Sequence, residues 1–157
     1  MLGSNPVAVG VPTGGKYPIL LDFASTVVAR ANLLMARMAG RSIPFGWALD
    51  ARGNSTEDPE AGLQGSMLPV GGHKGYGIAL VADVLSGALS GALSGPRIPP
   101  MYGDSKRPQG IGHFLVAIDV SAFVPLEQFR RQIDELVAAL KRCDKAEGVA
   151  EVLIPGE

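Results

Sequence analysis

A chain of 157 residues is long enough for one domain with its own core. With 14 Lys and Arg against 15 Asp and Glu, it lacks the basic excess of a nucleic-acid binder. Its one cysteine, Cys143, excludes a disulfide framework and a Cys-rich zinc site, and no apolar run reaches the ~20 residues of a bilayer span.

Apolar residues make up 46% of the chain and charged ones only 18%. That balance implies apolar surface covered by a partner subunit or by further chain. The opening residues do not form the charged-then-apolar pattern of a signal peptide, so an intracellular, reducing compartment is expected.

Pro6 to Val11 reads as a strand closed by the turn Pro12-Thr13-Gly14-Gly15-Lys16. Tyr17 to Leu21 is apolar with little alternation, as in a strand covered on both faces, and the two runs suggest a hairpin. Asp22-Phe23-Ala24-Ser25-Thr26 ends that strand. Ser25 or Thr26 is placed to cap a helix carrying Val27, Val28, Ala31, Leu34, Met35 and Met38 at spacings of three and four, with Gly40 as its stop. A strand end that runs into a helix N-terminus is where α/β proteins place ligands.

From Arg41 to Pro69 periodicity dissolves. Trp47, Phe45 and Leu49 predict an ordered surface excursion, with a short capped helical turn at 56–60.

The glycine-rich stretch Gly71-Gly72-His73-Lys74-Gly75-Tyr76-Gly77 follows the turn Leu68-Pro69-Val70. Glycine permits positive φ and close approach of a ligand to the backbone. One imidazole and one ammonium sit at the expected helix N-terminus, whose free N–H groups and positive dipole end favour phosphate or carboxylate. The spacing is neither that of a Walker A loop nor GxGxxG. Ile78 to Ala92 is apolar nearly all round, which predicts a buried helix. Gly87, Gly91 and Gly95 fall at intervals of four, suiting close helix packing with fraying near Gly91.

Pro96 to Gly112 reads as a loop containing Met101-Tyr102 and the polar run 104–107. Phe114 to Asp119 predicts a buried strand. Leu126 to Cys143 is an amphipathic helix with Phe129, Ile133, Leu136, Val137 and Leu140 on one face. A short strand, Glu151 to Ile154, precedes Pro155-Gly156-Glu157. No internal break marks a domain boundary, so residues 1–157 read as a single domain.

His73 and Lys74 are the leading candidates for chemistry, as a cationic contact to an anion. Asp22, Ser25 and Thr26 follow, with helix capping as the plainer reading. Arg30, one turn into the helix, could reach a carboxylate or be a solvated helix arginine. Asp83, in the most apolar helix, should pair with a basic side chain of another element. His113 reads as a structural histidine, and Asn5 as a turn residue with lining a site as the alternative. No nucleophile–base pair stands out, and two isolated histidines do not make a metal site.

Leu68-Pro-Val-Gly-Gly-His-Lys-Gly-Tyr-Gly-Ile, followed by the Leu-Ser-Gly helix, resembles the malate/L-lactate dehydrogenase family of the non-Rossmann type. Ser4-Asn5-Pro6, Leu21-Asp22-Phe23-Ala24-Ser25, Phe45 to Asp50, Ile111-Gly112-His113-Phe114 and Ile154-Pro155-Gly156-Glu157 extend the resemblance in order over essentially the whole chain.

The resemblance implies an α/β fold, three-layered, with a mixed sheet flanked by helices rather than a doubly wound sheet. It implies an NAD- or NADP-dependent oxidoreductase that transfers a hydride between nicotinamide and a small 2-hydroxy or 2-oxo acid, cytoplasmic and homodimeric. Asp22, Phe23, Ala24, Ser25, His73 and Lys74 would contact the cofactor, and Arg30 the substrate. The family's acid/base histidine lies in an N-terminal part that these residues do not include, so no catalytic residue and no metal ligand is assigned. The chain then represents the cofactor-binding and C-terminal portion of a longer dehydrogenase, inactive by itself. A non-catalytic nucleotide- or anion-binding module, a protein using the Gly/Ser helix as a packing face, and a cyclic imino-acid reductase are the other readings.

Overall fold

In a computed structural model, residues 2–100 and 108–157 are described. The loop residues 101–107 expected between Pro96 and Gly112 lie outside them. The chain forms two compact units, Met1–Val7 with Ala24–Phe114, and Ala8–Phe23 with Leu115–Glu157.

The core of the first unit is shared between α1 and the stretch whose pattern dissolves in the sequence. Leu33 of α1 (Arg30–Met38), Ile43 and Ala48 are withdrawn from solvent, with Val28, Ala36, Trp47, Leu63 and Met67 packed on them. Three two-residue strands, β3 (Ala48–Leu49), β4 (Ser55–Thr56) and β5 (Ser66–Met67), form an antiparallel sheet in the order β4-β3-β5. Ala48 pairs with both Thr56 and Met67. Strands this short carry no readable alternation, which is why a surface excursion was expected where the core lies.

The capped turn forms α2 (Pro59–Gln64): Asp58 accepts from the Glu60 N–H at 2.9 Å, and Pro59 occupies the first turn. Gly62 lets this helix lie on the core, since a Cβ there would stand 2.9 Å from the Ala48 Cβ.

The helix expected from Thr26 begins only at Arg30, after Ala29 and without a side-chain cap. Residues 25–27 are held extended by Leu68–Val70: the Val27 N–H donates to the Leu68 carbonyl at 2.9 Å and the Val70 N–H to the Ser25 carbonyl at 3.0 Å. The Thr26 hydroxyl donates to the Val28 carbonyl instead of capping.

The glycine stretch opens α3 (His73–Asp83), which continues as a π-helical segment, Val84–Leu89. Gly91, at φ 76°, lies just beyond its end, near the expected fraying point. Burial is confined to the stripe Gly75, Ala79, Asp83 and Gly87, while Ile78, Leu80, Val81, Val84 and Leu89 are exposed. The expectation of burial all round therefore fails: apolar side chains on every face of a helix do not supply neighbours on every face. At Gly87 a Cβ would stand 2.8 Å from the Ser94 Cβ, so the returning chain packs on bare backbone. Asp83 pairs with the Gly95 N–H at 3.1 Å rather than with the expected basic side chain.

In the second unit lies most of a two-stranded sheet of β1 (Pro6–Val11) and β2 (Ile19–Ala24), the expected hairpin shifted at its second strand. Leu20 and Leu21 are exposed rather than covered on both faces. The turn between the strands is held by α4 (Leu126–Lys141), whose Asp134 accepts from the Gly14 N–H at 3.0 Å. α4 matches the amphipathic helix of the sequence to within two residues.

The Leu20 N–H donates to the Pro155 carbonyl at 2.8 Å, and Lys141 pairs with Glu157. The Lys141 ammonium, and after it the Ile154 N–H, hold the Glu157 carboxyl below the ordinary range. The hydroxyl and then the N–H of Ser121 do the same for Asp119.

Neither Phe114–Asp119 nor Glu151–Ile154 forms a strand. Leu115 is 93% and Ile118 72% exposed. A strand needs a neighbour for its backbone groups, and among the described residues this β-prone segment has no strand paired to it. Ile154 is nonetheless buried, and a turn follows it at Pro155.

Candidate functional site

Val70 links two of the stretches singled out in the sequence. Its N–H is bonded to the Ser25 carbonyl, and its own carbonyl lies so close to Gly75 that a Cβ there would stand 2.0 Å away. Ser25 is thus one hydrogen bond and one backbone contact from the first turn of α3. Asn5 ties Ser25 to α3 as well. Its carbonyl accepts from the Ser25 N–H at 3.3 Å, and its side-chain amide donates to the Ala79 carbonyl of α3 at 2.9 Å. Asn5, read from the sequence as a turn residue or a site-lining one, is therefore a strut between Ser25 and α3. Its only local sign was the following proline.

The N-terminus of α3 is open. Gly72 precedes it at φ 64° and Gly71 at φ 60°, conformations that favour glycine. Among the described residues no side chain caps the helix, and its first turn carries no acidic residue. His73 and Lys74 are exposed there. The first-turn N–H groups and the dipole form a seat for an anion, with a cation on its rim.

Against this open end, the Ser25 hydroxyl is an anomaly. Ser25 is 1% exposed, and among the described residues its Oγ has no hydrogen-bond partner. A buried hydroxyl left unpaired costs about 1–3 kcal/mol, so such groups point to an outside partner.

Beside Lys74 a groove of about 480 Å³ runs along α3, lined by Val7, Gly77, Ile78, Val81, Ala82 and Leu85.

Ala24 and Ser25 belong to the unit that carries α3, whereas Asp22 and Phe23, on β2, belong to the other. Asp22 is exposed and Phe23 half-buried. Arg30 is not brought to Lys74. It lines a second groove with Leu34, Arg37, Glu60, Leu63 and Gln64 and donates to the Leu63 carbonyl at 2.6 Å. His113, read from the sequence as a structural histidine, is exposed. Among the described residues no cluster of three potential ligands could hold a metal, and no helix is long and apolar enough to cross a membrane.

The class defined by these features is an α/β protein with an open, glycine-preceded helix start. The chain belongs to the malate/L-lactate dehydrogenase family, whose model matches residues 1–157. It is 39% identical over its whole length to a malate/(S)-sulfolactate dehydrogenase of Methanothermus fervidus. It is 36% identical over 99% of its length to an NAD(+) ureidoglycolate dehydrogenase of Escherichia coli O157:H7. The solved sulfolactate dehydrogenase of Methanocaldococcus jannaschii superposes with a TM-score of 0.86 at 39% identity, over 99% of this chain and 44% of that one. The chain spans about 44% of the length of these two curated relatives. The α/β class is that of these structural relatives, realised here through small sheets and helices.

Proposed function

We propose that these residues form the nucleotide-binding and C-terminal portion of an NAD- or NADP-dependent oxidoreductase acting on a small 2-hydroxy acid or its 2-oxo partner. The observation that carries the reading is the buried, unpaired Ser25 hydroxyl beside an uncapped, glycine-opened helix. A dinucleotide's phosphates suit both: their oxygens accept hydrogen bonds from Ser25 and from the first-turn N–H groups of α3, and their charge is offset by Lys74 and the helix dipole. When bound, the nicotinamide supplies the hydride acceptor and donor.

Ser25 binds and orients, Gly71 and Gly72 admit the phosphates to the backbone, and Lys74 holds them as a point charge. His73 is assigned to binding, not to proton transfer. Asp22, Phe23 and Ala24 are assigned to the nucleotide on the strength of family membership. Arg30 is the candidate substrate contact on the same ground, and moving it there requires release of the Leu63 carbonyl. The general acid/base is placed outside these residues. The whole protein is proposed to work as a cytoplasmic homodimer, which the many exposed apolar side chains favour.

The test is Ser25→Ala. Without ligand the variant should melt at or slightly above the wild-type temperature, because it removes an unpaired buried hydroxyl. Its affinity for NADH or NADPH, followed by cofactor fluorescence, should fall about five- to tenfold. Unchanged affinity for both in this variant and in Lys74→Ala would end the assignment.

A further inference from the structure

Among the glycines within helices, Gly77 is the one for which the described residues supply no reason. It lies inside α3 and outside the positive-φ region, so its backbone does not call for glycine. Packing does not call for it either. A Cβ at Gly75 would meet the Val70 carbonyl and one at Gly87 the Ser94 side chain, but one at Gly77 would meet nothing among the described residues beyond its own helix within 4 Å. Glycine within a helix costs ~1 kcal/mol relative to alanine. Bare backbone facing open space is what a closely approaching outside group requires.

The space that Gly77 faces has a defined chemistry. It is the groove beside Lys74, with Val7, Ile78, Val81, Ala82 and Leu85 as its other walls. Ile78 and Val81 are 41% and 58% exposed, so these walls still present apolar surface. A single cation at one end of an apolar channel matches a ligand with an anionic end and a flat apolar body. A planar ring can lie against helix backbone where a Cβ would hold it away, with aliphatic side chains on either side.

Building on the proposed function, we propose that this groove seats a planar heteroaromatic ring of the bound dinucleotide, with Gly77 as the bare floor under the ring and Lys74 on the adjoining phosphate. Gly77 is then a positioning residue for the nucleotide, retained at the expense of helix propensity. The ring is either the adenine or the nicotinamide. Fragments carrying one of them distinguish the two.

The experiment compares Gly77→Ala and Gly77→Leu with the wild-type protein. The measurements are melting temperature, oligomeric state by light scattering, and affinity for NADH, ADP-ribose, nicotinamide mononucleotide and inorganic pyrophosphate. Gly77→Ala should raise the melting temperature by roughly 2–4 °C while weakening NADH binding, two effects that a purely structural glycine would not combine. Gly77→Leu should weaken NADH at least about tenfold, together with whichever single fragment carries the seated ring, and leave pyrophosphate within about twofold.

NADH affinity unchanged in Gly77→Leu overturns the ring seat, while a loss in Lys74→Ala would keep the phosphate reading standing. A changed oligomeric state in Gly77→Leu also overturns the seat, because it makes the groove an interface between copies. Absence of NADH and NADPH binding to the wild-type protein removes both readings together.

Discussion

In the first unit Leu33, Ile43 and Ala48 are almost wholly withdrawn from water, whereas among the described residues of the second only Ile154 is buried. The difference runs against sequence periodicity. α4 has the clearest apolar face in the chain yet buries no residue. The core of the first unit is assembled by strands of two residues and a six-residue helix. An apolar face identifies a surface that seeks cover. Short pieces crossing at a small residue such as Gly62 can supply cover without any repeat.

The largest effect should fall on the first unit. Leu33→Ala, at a fully buried site, should cost about 2–5 kcal/mol in denaturant unfolding. A loss below about 1 kcal/mol would place the stabilising core elsewhere.

Next comes a change of binding without a change of stability. Lys74 is exposed, so Lys74→Ala should leave the melting temperature within about 1 °C while weakening NADH or NADPH about tenfold in a fluorescence titration. A large melting shift would mean that the glycine-opened turn relies on the lysine for its fold.

Leu136→Ala, on the half-exposed face of α4, should cost less than about 1 kcal/mol in the same denaturant assay as Leu33→Ala. Equal costs for the two would erase the contrast between the units.

The smallest effect is one of pH. The Glu157 carboxyl is held below its ordinary range by Lys141, so its folded pKa lies below the unfolded one. Its stabilising contribution is full above the unfolded value of about 4.3 and is lost as pH falls through the folded value. Hydrogen exchange at the C-terminal end of α4 should therefore speed up below about pH 4 beyond the intrinsic trend. Glu157→Gln should abolish that acid-dependent step, and a step that survives the substitution assigns it to another carboxylate.

Features that depend on near neighbours in sequence were legible. The amphipathic period of α4, the Asp58–Pro59 helix start and the glycine-opened start of α3 each follow from residues within a few positions. Features set by distant neighbours were not. Thr26 has the side chain of a helix cap, but Leu68–Val70 hold its stretch extended. Phe114 to Asp119 has the composition of a buried strand without a paired strand among the described residues. Asp83 signalled a need for a partner, and a backbone N–H twelve residues on meets it.

The site was half legible. His73, Lys74 and Ser25 stood out by residue type, but the links through Val70 and Asn5 are tertiary. Gly77 passed unmarked among four glycines, because only the position of its missing Cβ separates it from Gly75.

The change of winding at Val84 fixes a length as well as a composition. A π-helical stretch turns each residue through a smaller angle about the axis than an α-helix does, so residues 84–89 set the direction in which everything beyond them leaves. Deleting one residue there would invite ordinary α-winding and rotate Gly87 away from Ser94, with the Asp83–Gly95 bond strained in turn. Insertions and deletions should be far less tolerated in these six residues than substitutions at the exposed Val84 and Leu89, a bias that a library of single-residue length variants would expose.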